Sequence, residues 1–224
     1  KIYNPPYSND LVDPYRIIGN IYYVGMGNYT SFLITTPEGL ILLDTMVEDT
    51  VPTLQKNIET LGFNVGDIKI ILQAHAHIDH VGGMDSMKNL SGARVLVMAE
   101  DAQGLADGGV SDFRGDGTQL WMGVEADQLL SDGEKITLGG VTMVAHKTAG
   151  HSKGCTTWST VAEEDGESYD VVFVCSNRVN DGIPMINNPK YPTMVEDYIS
   201  GFETLKSLPS DVFLGSHAFF FNMH

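Results

Sequence analysis

The sequence is poor in cysteine and in positive charge, and it has no long apolar run. Its two cysteines, Cys155 and Cys175, form no CxxC pair. That excludes a thiolate zinc knuckle and a thioredoxin-type redox motif. No stretch approaches the ~18 to 20 apolar residues that a membrane-spanning helix needs. Lysine and arginine number 13 against 29 acidic residues, a formal charge of -16. Such a chain repels polyanions, which excludes DNA and RNA as partners. The same charge points to a secreted or periplasmic setting. No basic segment followed by an apolar stretch opens the chain at Lys1, so its start does not speak to compartment. A processed and a trimmed N-terminus both stay open. The chain stops at His224 soon after Phe219, Phe220 and Phe221, which leaves room for a further C-terminal element.

What is present is an ordinary globular mixture. Of 224 residues, 42% are hydrophobic and 19% charged, which rules out disorder. Short β-rich runs dominate the first third: 17–24, then 31–35 and 40–44 around the turn Thr36-Pro37-Glu38-Gly39. The period then changes. Val51, Leu54, Ile58 and Leu61 share one helical face over 49–61, and Gly62 stops that helix. Residues 68–72 read as a buried strand, 82–90 as a short helix, 94–98 as a strand and 101–106 as a brief helix. Residues 107–123 hold five glycines and no period. They read as a long mobile loop, and loops of that length are usually functional.

The second half continues in strands: 136–138, 141–147, 155–161, 169–175 and 212–214. Glu164-Asp165-Gly166 turns the longest pair. An amphipathic helix spans 194–208, carried by Val195, Tyr198, Ile199, Phe202 and Leu205. No linker or repeat appears, so residues 1–224 read as a single domain. Its fold class is α/β: a four-layer αββα sandwich of two mixed β sheets with outer helices. Cys155 and Cys175 lie symmetrically about residue 165. A symmetric hairpin brings them opposite each other, within disulfide range. A bond and two buried thiols both stay open, and export favours the bond.

The chemistry concentrates in the string HAHIDH, which supplies His75, His77, Asp79 and His80 directly after a strand. Neutral imidazole and carboxylate are ligands that suit Zn²⁺. His75 and His77, two apart on an extended segment, project to one side and can grip one ion. Asp79 and His80 follow the turn and can face a second. A lone histidine here would be a polar strand end, with Asp79 capping a helix. Three histidines and an aspartate at this spacing reverse that. His151, in a glycine-flanked turn, and His217, after the last strand, complete two three-ligand sets. His146 reads as packing or surface, and His224 as merely terminal.

HAHIDHVGG, then GHSKG, then GSHA, in this order, resembles the metallo-β-lactamase superfamily. The likeness runs from about Ile17 to His217. Cys155-Thr156-Thr157-Trp158, Cys175-Ser176, the segment Asn188-Pro189-Lys190-Tyr191-Pro192 and Leu208-Pro209-Ser210-Asp211 look most like subclass B3. The resemblance implies one zinc on His75, His77 and His151, and a second on Asp79, His80 and His217. It implies hydrolysis of the β-lactam amide of penicillins, cephalosporins and carbapenems by a metal-bound hydroxide, giving antibiotic resistance. Asp79 is then the catalytic residue, holding the second metal and accepting a hydrogen bond from the nucleophile. Other branches carry a bridging aspartate where Cys175 and Ser176 stand. We favour Ser176 facing the metals, with Cys175 weighed as a ligand.

Ser176, Arg178 and Asn180 are the candidates for the substrate carboxylate or a metal-bound water. Arg178 replaces a small polar residue, and an exposed arginine without that role is equally consistent. Phe113 and Trp121 are expected to help the 107–123 loop cover a bound drug, with a merely disordered surface loop as the alternative. Ser210 stands where many relatives have cysteine, so that family disulfide is missing. The partner expected is a small-molecule β-lactam and the state a monomer. Two rivals stand: a lactonase or thioester hydrolase of the same superfamily, and a metal carrier.

Overall fold

A computed structural model of the protein describes residues 10–223; His224 lies outside them. The first sheet has the order β1 (Tyr15–Ile18), β2 (Ile21–Tyr23), β3 (Phe32–Thr36), β4 (Gly39–Leu43), β5 (Ile68–Leu72), β6 (Arg94–Met98) and β7 (Gln128–Leu130). Its first four strands are antiparallel neighbours, and the pairs from β4 to β7 are parallel. The second sheet is built from β8 (Lys135–Leu138), β9 (Val141–Lys147), β10 (Thr156–Glu164), β11 (Glu167–Val174) and β12 (Val212–Gly215). Among the described residues, only β11 and β12 pair in parallel there. Both sheets are therefore mixed, as the pattern predicts.

Alternation along the strands divides the apolar residues between two layers. Phe32, Ile34, Ile41, Leu43, Ile70 and Leu72 face the second sheet and meet Met143, Trp158, Phe173 and Leu214. Leu33, Leu40, Leu42, Ile71, Val95 and Val97 face outward. They are covered by α1 (Val51–Thr60) and α3 (Met84–Ser91) through Val51, Leu54, Ile58, Met84 and Met87. Each such Leu or Ile, fully buried, contributes about 1.5 to 3 kcal/mol.

Four local expectations change. The run 17–24 is not one strand: Gly19, at φ +50°, turns the chain between β1 and β2. The helix expected at 82–90 begins at Met84 instead, behind a separate short α2 (Ile78–Val81). The helix α5 (Met194–Ser207) buries Met194, Tyr198 and Gly201, whereas Ile199 and Phe202 are exposed. Its stripe is rotated because Gly201 lets the backbone settle on Thr148 and Ala149, where an added Cβ would lie 3.3 Å from Thr148. The 107–123 loop has no regular structure, but it is tacked down. Trp121 is buried in the core beneath the helices, and Phe113 stacks edge-on against Tyr191 at 4.9 Å.

Cys155 and Cys175 are joined by a disulfide, with Cα atoms 5.9 Å apart. The ladder pairs Trp158 with Phe173 and Glu164 with Glu167. Its centre falls half a residue past 165, so the bond links positions one step off register, just where the ladder ends.

Candidate metal centre

Parallel register decides where the polar residues emerge. Leu43 pairs with Leu72 and Val174 with Gly215. The chain after each strand therefore leaves the sheet beside its neighbour. Asp44, the 73–77 segment, Ser176 and His217 all emerge beyond the carboxyl ends of strands, where open α/β sheets place ligands. The loop from β9 to β10 adds His151 from the same edge. Gly150 precedes it, and a Cβ there would sit 2.7 Å from the Tyr198 ring. Only glycine lets this loop lie so close to α5.

His75, His77 and His151 each place a ligand atom within 4.8 Å of the others. Beside them, Asp79 Oδ2 lies 3.6 Å from His80 Nε2 and 3.5 Å from His217 Nε2. His75 also stands within 4.8 Å of Asp79 and His80, so the two groups adjoin. Nε2 of His75 and Nε2 of His80, one in each group, are buried with no hydrogen-bond partner. A buried polar atom left so costs about 1 to 3 kcal/mol. Divalent ions shared among these atoms would satisfy them, and the imidazole and carboxylate donors suit zinc.

The opposite edges of the rings are held by acceptors. His80 Nδ1 lies 2.8 Å from Asp44 Oδ2. A carboxylate accepts only, so Nδ1 carries the proton and Nε2 keeps its lone pair. His151 Nδ1 donates to the Arg178 carbonyl at 2.8 Å, with the same result. His77 Nε2 faces Asp112 Oδ2 at 3.6 Å. Arg114 grips that carboxylate through Nε at 3.0 Å and Nη2 at 2.6 Å. Nδ1 of His75 lies 3.4 Å from Cys175 Sγ.

Burial, reinforced by neighbouring rings, holds His75 well below the ordinary imidazole range. Burial and then the Arg114 guanidinium do the same for His77. His151 and His217 fall to about 4, chiefly through burial. These rings are neutral at neutral pH, the form that binds a metal. His80 differs: burial lowers it, but the carboxylates of Asp79 and Asp44 outweigh burial and raise it. Burial raises Asp79, yet His80 and His217 outweigh that and hold it below the usual carboxylate range.

Comparison with known proteins bears on this arrangement. The model of the metallo-beta-lactamase superfamily matches residues 24–217. The chain belongs to the metallo-β-lactamase superfamily. Native FEZ-1 metallo-beta-lactamase from Legionella gormanii is 40% identical over 96% of this chain and 83% of that one, with a TM-score of 0.94. BJP-1, a subclass B3 metallo-beta-lactamase of Bradyrhizobium japonicum, is 36% identical over 96% and 81%, with a TM-score of 0.89. A probable metallo-hydrolase from Burkholderia pseudomallei (strain 1710b) is 27% identical over 41% of this chain, a stretch that spans only 31% of that protein.

In this member of the superfamily the two groups open into a cleft of 520 Å³, lined also by Tyr29, Arg114, Ser176, Arg178, Asn180 and Phe219. Ser176 is buried, and its Oγ accepts the Arg178 amide at 3.3 Å. The Arg178 guanidinium lies at the rim, 3.8 Å from Asp181. Asn180 Nδ2 lies 3.5 Å from His151 Nδ1. Phe113 and Trp121 do not line this cleft. Their rings are drawn into apolar packing instead, and the loop sends Arg114 to the cleft in their place. Cys175, in its disulfide, has no thiolate to offer an ion. Sequence reasoning missed Asp44 and Arg114. The signal for Asp44 was a carboxylate closing the apolar run 40–43, a position that burial penalises unless a partner is present.

Proposed function

We propose that the chain is a dizinc β-lactamase of the subclass B3 type, acting on penicillins, cephalosporins and carbapenems and so conferring antibiotic resistance. One observation carries this reading: partnerless buried ring nitrogens in two adjoining groups, whose His77, His151, Asp79 and His217 line a cleft of 520 Å³. Pockets of ~300 to 1,000 Å³ suit drug-sized ligands. The likeness to FEZ-1 and BJP-1 supports the same substrate class. His75, His77 and His151 would hold one zinc, and Asp79, His80 and His217 the other. Zinc bound there supplies a Lewis acid and brings the pKa of a bound water to ~7.

The chain's own groups do the rest. Asp79 stays ionised and accepts a hydrogen bond from the attacking water, which aims its lone pair at the lactam carbonyl. Arg178 pairs with the substrate carboxylate, and Ser176 and Asn180 complete that contact by hydrogen bonds. Ser152 is no nucleophile, because its hydroxyl is buried and donates to Asp101 at 2.8 Å. A metal carrier would not need such a cleft. The carboxylate that lactonases and thioester hydrolases place after this strand is replaced by Cys175 and Ser176.

The protein is inferred to work as a single-domain monomer in the periplasm or outside the cell. The disulfide favours an oxidising compartment. None of the helices among the described residues is long and apolar enough to cross a membrane. The test is turnover of a chromogenic cephalosporin by zinc-loaded protein, with and without a chelator. Turnover abolished by the chelator and restored by zinc is expected. Protein carrying two zinc ions that leaves every β-lactam intact would end this reading.

A further inference from the structure

Three histidines that share an ion must be held at a fixed separation, yet they arrive on two different segments. His75 and His77 follow a strand of the first sheet, and His151 lies between strands of the second. One buried side chain joins the two segments. Asp101, 4% exposed, follows β6. Its Oδ2 accepts the Ala76 amide at 3.0 Å and the Ser152 hydroxyl at 2.8 Å. Its Oδ1 accepts the Gly154 amide at 2.7 Å. Ala76 sits between His75 and His77, and Ser152 follows His151. The fit is close, because a Cβ on Gly154 would stand 2.8 Å from the Asp101 carboxyl carbon.

We propose that Asp101 is a positioning residue for the three-histidine group, setting the gap between His151 and the His75–His77 pair. It touches no ligand ring itself. It acts through the two backbones, and two of its three bonds are to amides that cannot rotate away. A carboxylate suits the task because all three partners are donors. An asparagine would turn an amino group toward at least one of them. Asp101 makes no hydrogen bond to Asp79, His80 or His217, so the effect falls on one ion position and not the other. The proposal rests on the reading that these histidines hold an ion.

The test is stepwise zinc affinity, measured by competition with a chromophoric chelator, for unsubstituted protein, Asp101→Asn and Ser152→Ala. The visible spectrum of the cobalt(II) form assigns each step to its position. For Asp101→Asn, affinity at the three-histidine step is expected to fall about 10- to 100-fold, the usual effect of losing an outer partner. The second step is expected to move by about two-fold or less, as for groups that share no partner. Ser152→Ala loses a single contact and no charge, keeps the fold, and weakens the same step less. Unchanged affinities in either folded variant, or equal loss at both steps, would overturn the proposal and leave Asp101 a brace of the fold. If unsubstituted protein binds no zinc, the reading of the metal centre fails instead.

Discussion

Replacing Asp44 by Asn isolates the electronic part of the metal centre from its shape. The side chains are nearly isosteric, and Asp44 sits at φ +64°, a left-handed conformation that asparagine also accepts. The backbone therefore has no reason to move. Asp44 Oδ1 accepts the Ala74 amide at 2.7 Å, and Oδ2 faces His80 Nδ1 at 2.8 Å. In Asp44→Asn the carboxamide oxygen keeps Ala74, and the amino group takes the place of Oδ2. It now donates, so His80 Nδ1 must accept. The ring proton moves to Nε2, the atom that faces Asp79 at 3.6 Å. A protonated Nε2 has no lone pair for an ion. The expected cost is about 10- to 100-fold in affinity at that position, or about 1.4 to 2.8 kcal/mol. Chelator competition reads it as one tight and one weakened zinc, and the first step stays intact. Two ions bound at unchanged affinity would refute the tautomer argument.

Three further outcomes follow from the same geometry. His151→Ala and His217→Ala each remove one ligand, so zinc per chain should drop from two toward one and turnover should fall with it; a variant with unchanged metal content and rate shows its histidine to be misassigned. Metal-free protein should lose stability as pH falls from ~6.5 toward 4, because the unfolded chain takes up protons at the ordinary histidine pKa while His151 and His217 resist until about 4. Depressed histidines bind fewer protons when folded, so stability rises with pH there, by on the order of 3 kcal/mol per ring across the window, offset in part by Asp44 and Asp101, whose carboxyls burial raises; a urea midpoint that rises as pH falls would contradict the burial of these rings. Replacing both Cys155 and Cys175 by Ser opens a loop with a sequence separation of 20 and should cost about 3 kcal/mol in urea unfolding, which an unshifted midpoint would exclude.

The six proposed ligands were legible in the sequence because imidazoles at such spacing have few other uses, and their order along the chain does not depend on packing. The sheets were legible for a similar reason, since alternation over 31–44 and the long runs of 141–175 leave little choice of face. What escaped depends on partners brought from elsewhere. Asp44 directly follows one apolar strand and Asp101 lies three residues past another, where a carboxylate reads as a turn former until the residues it meets are known. Phe113 and Trp121 look free in a glycine-rich loop, but their rings find apolar neighbours and the loop offers Arg114 instead. The stripe of α5 was misread because Gly201, invisible to hydrophobic periodicity, is its closest point of approach. β7 has only three residues, too few to show a period.

The six side chains proposed to hold metal come from both sheets: four follow β5 in the first, while His151 and His217 belong to the second. Ions held by both halves would act as a rivet through the sandwich, so that removing them would loosen the seam between the sheets before either one. Zinc scarcity would then shorten the lifetime of the protein as well as silence it, and starved molecules would be the first that proteases clear.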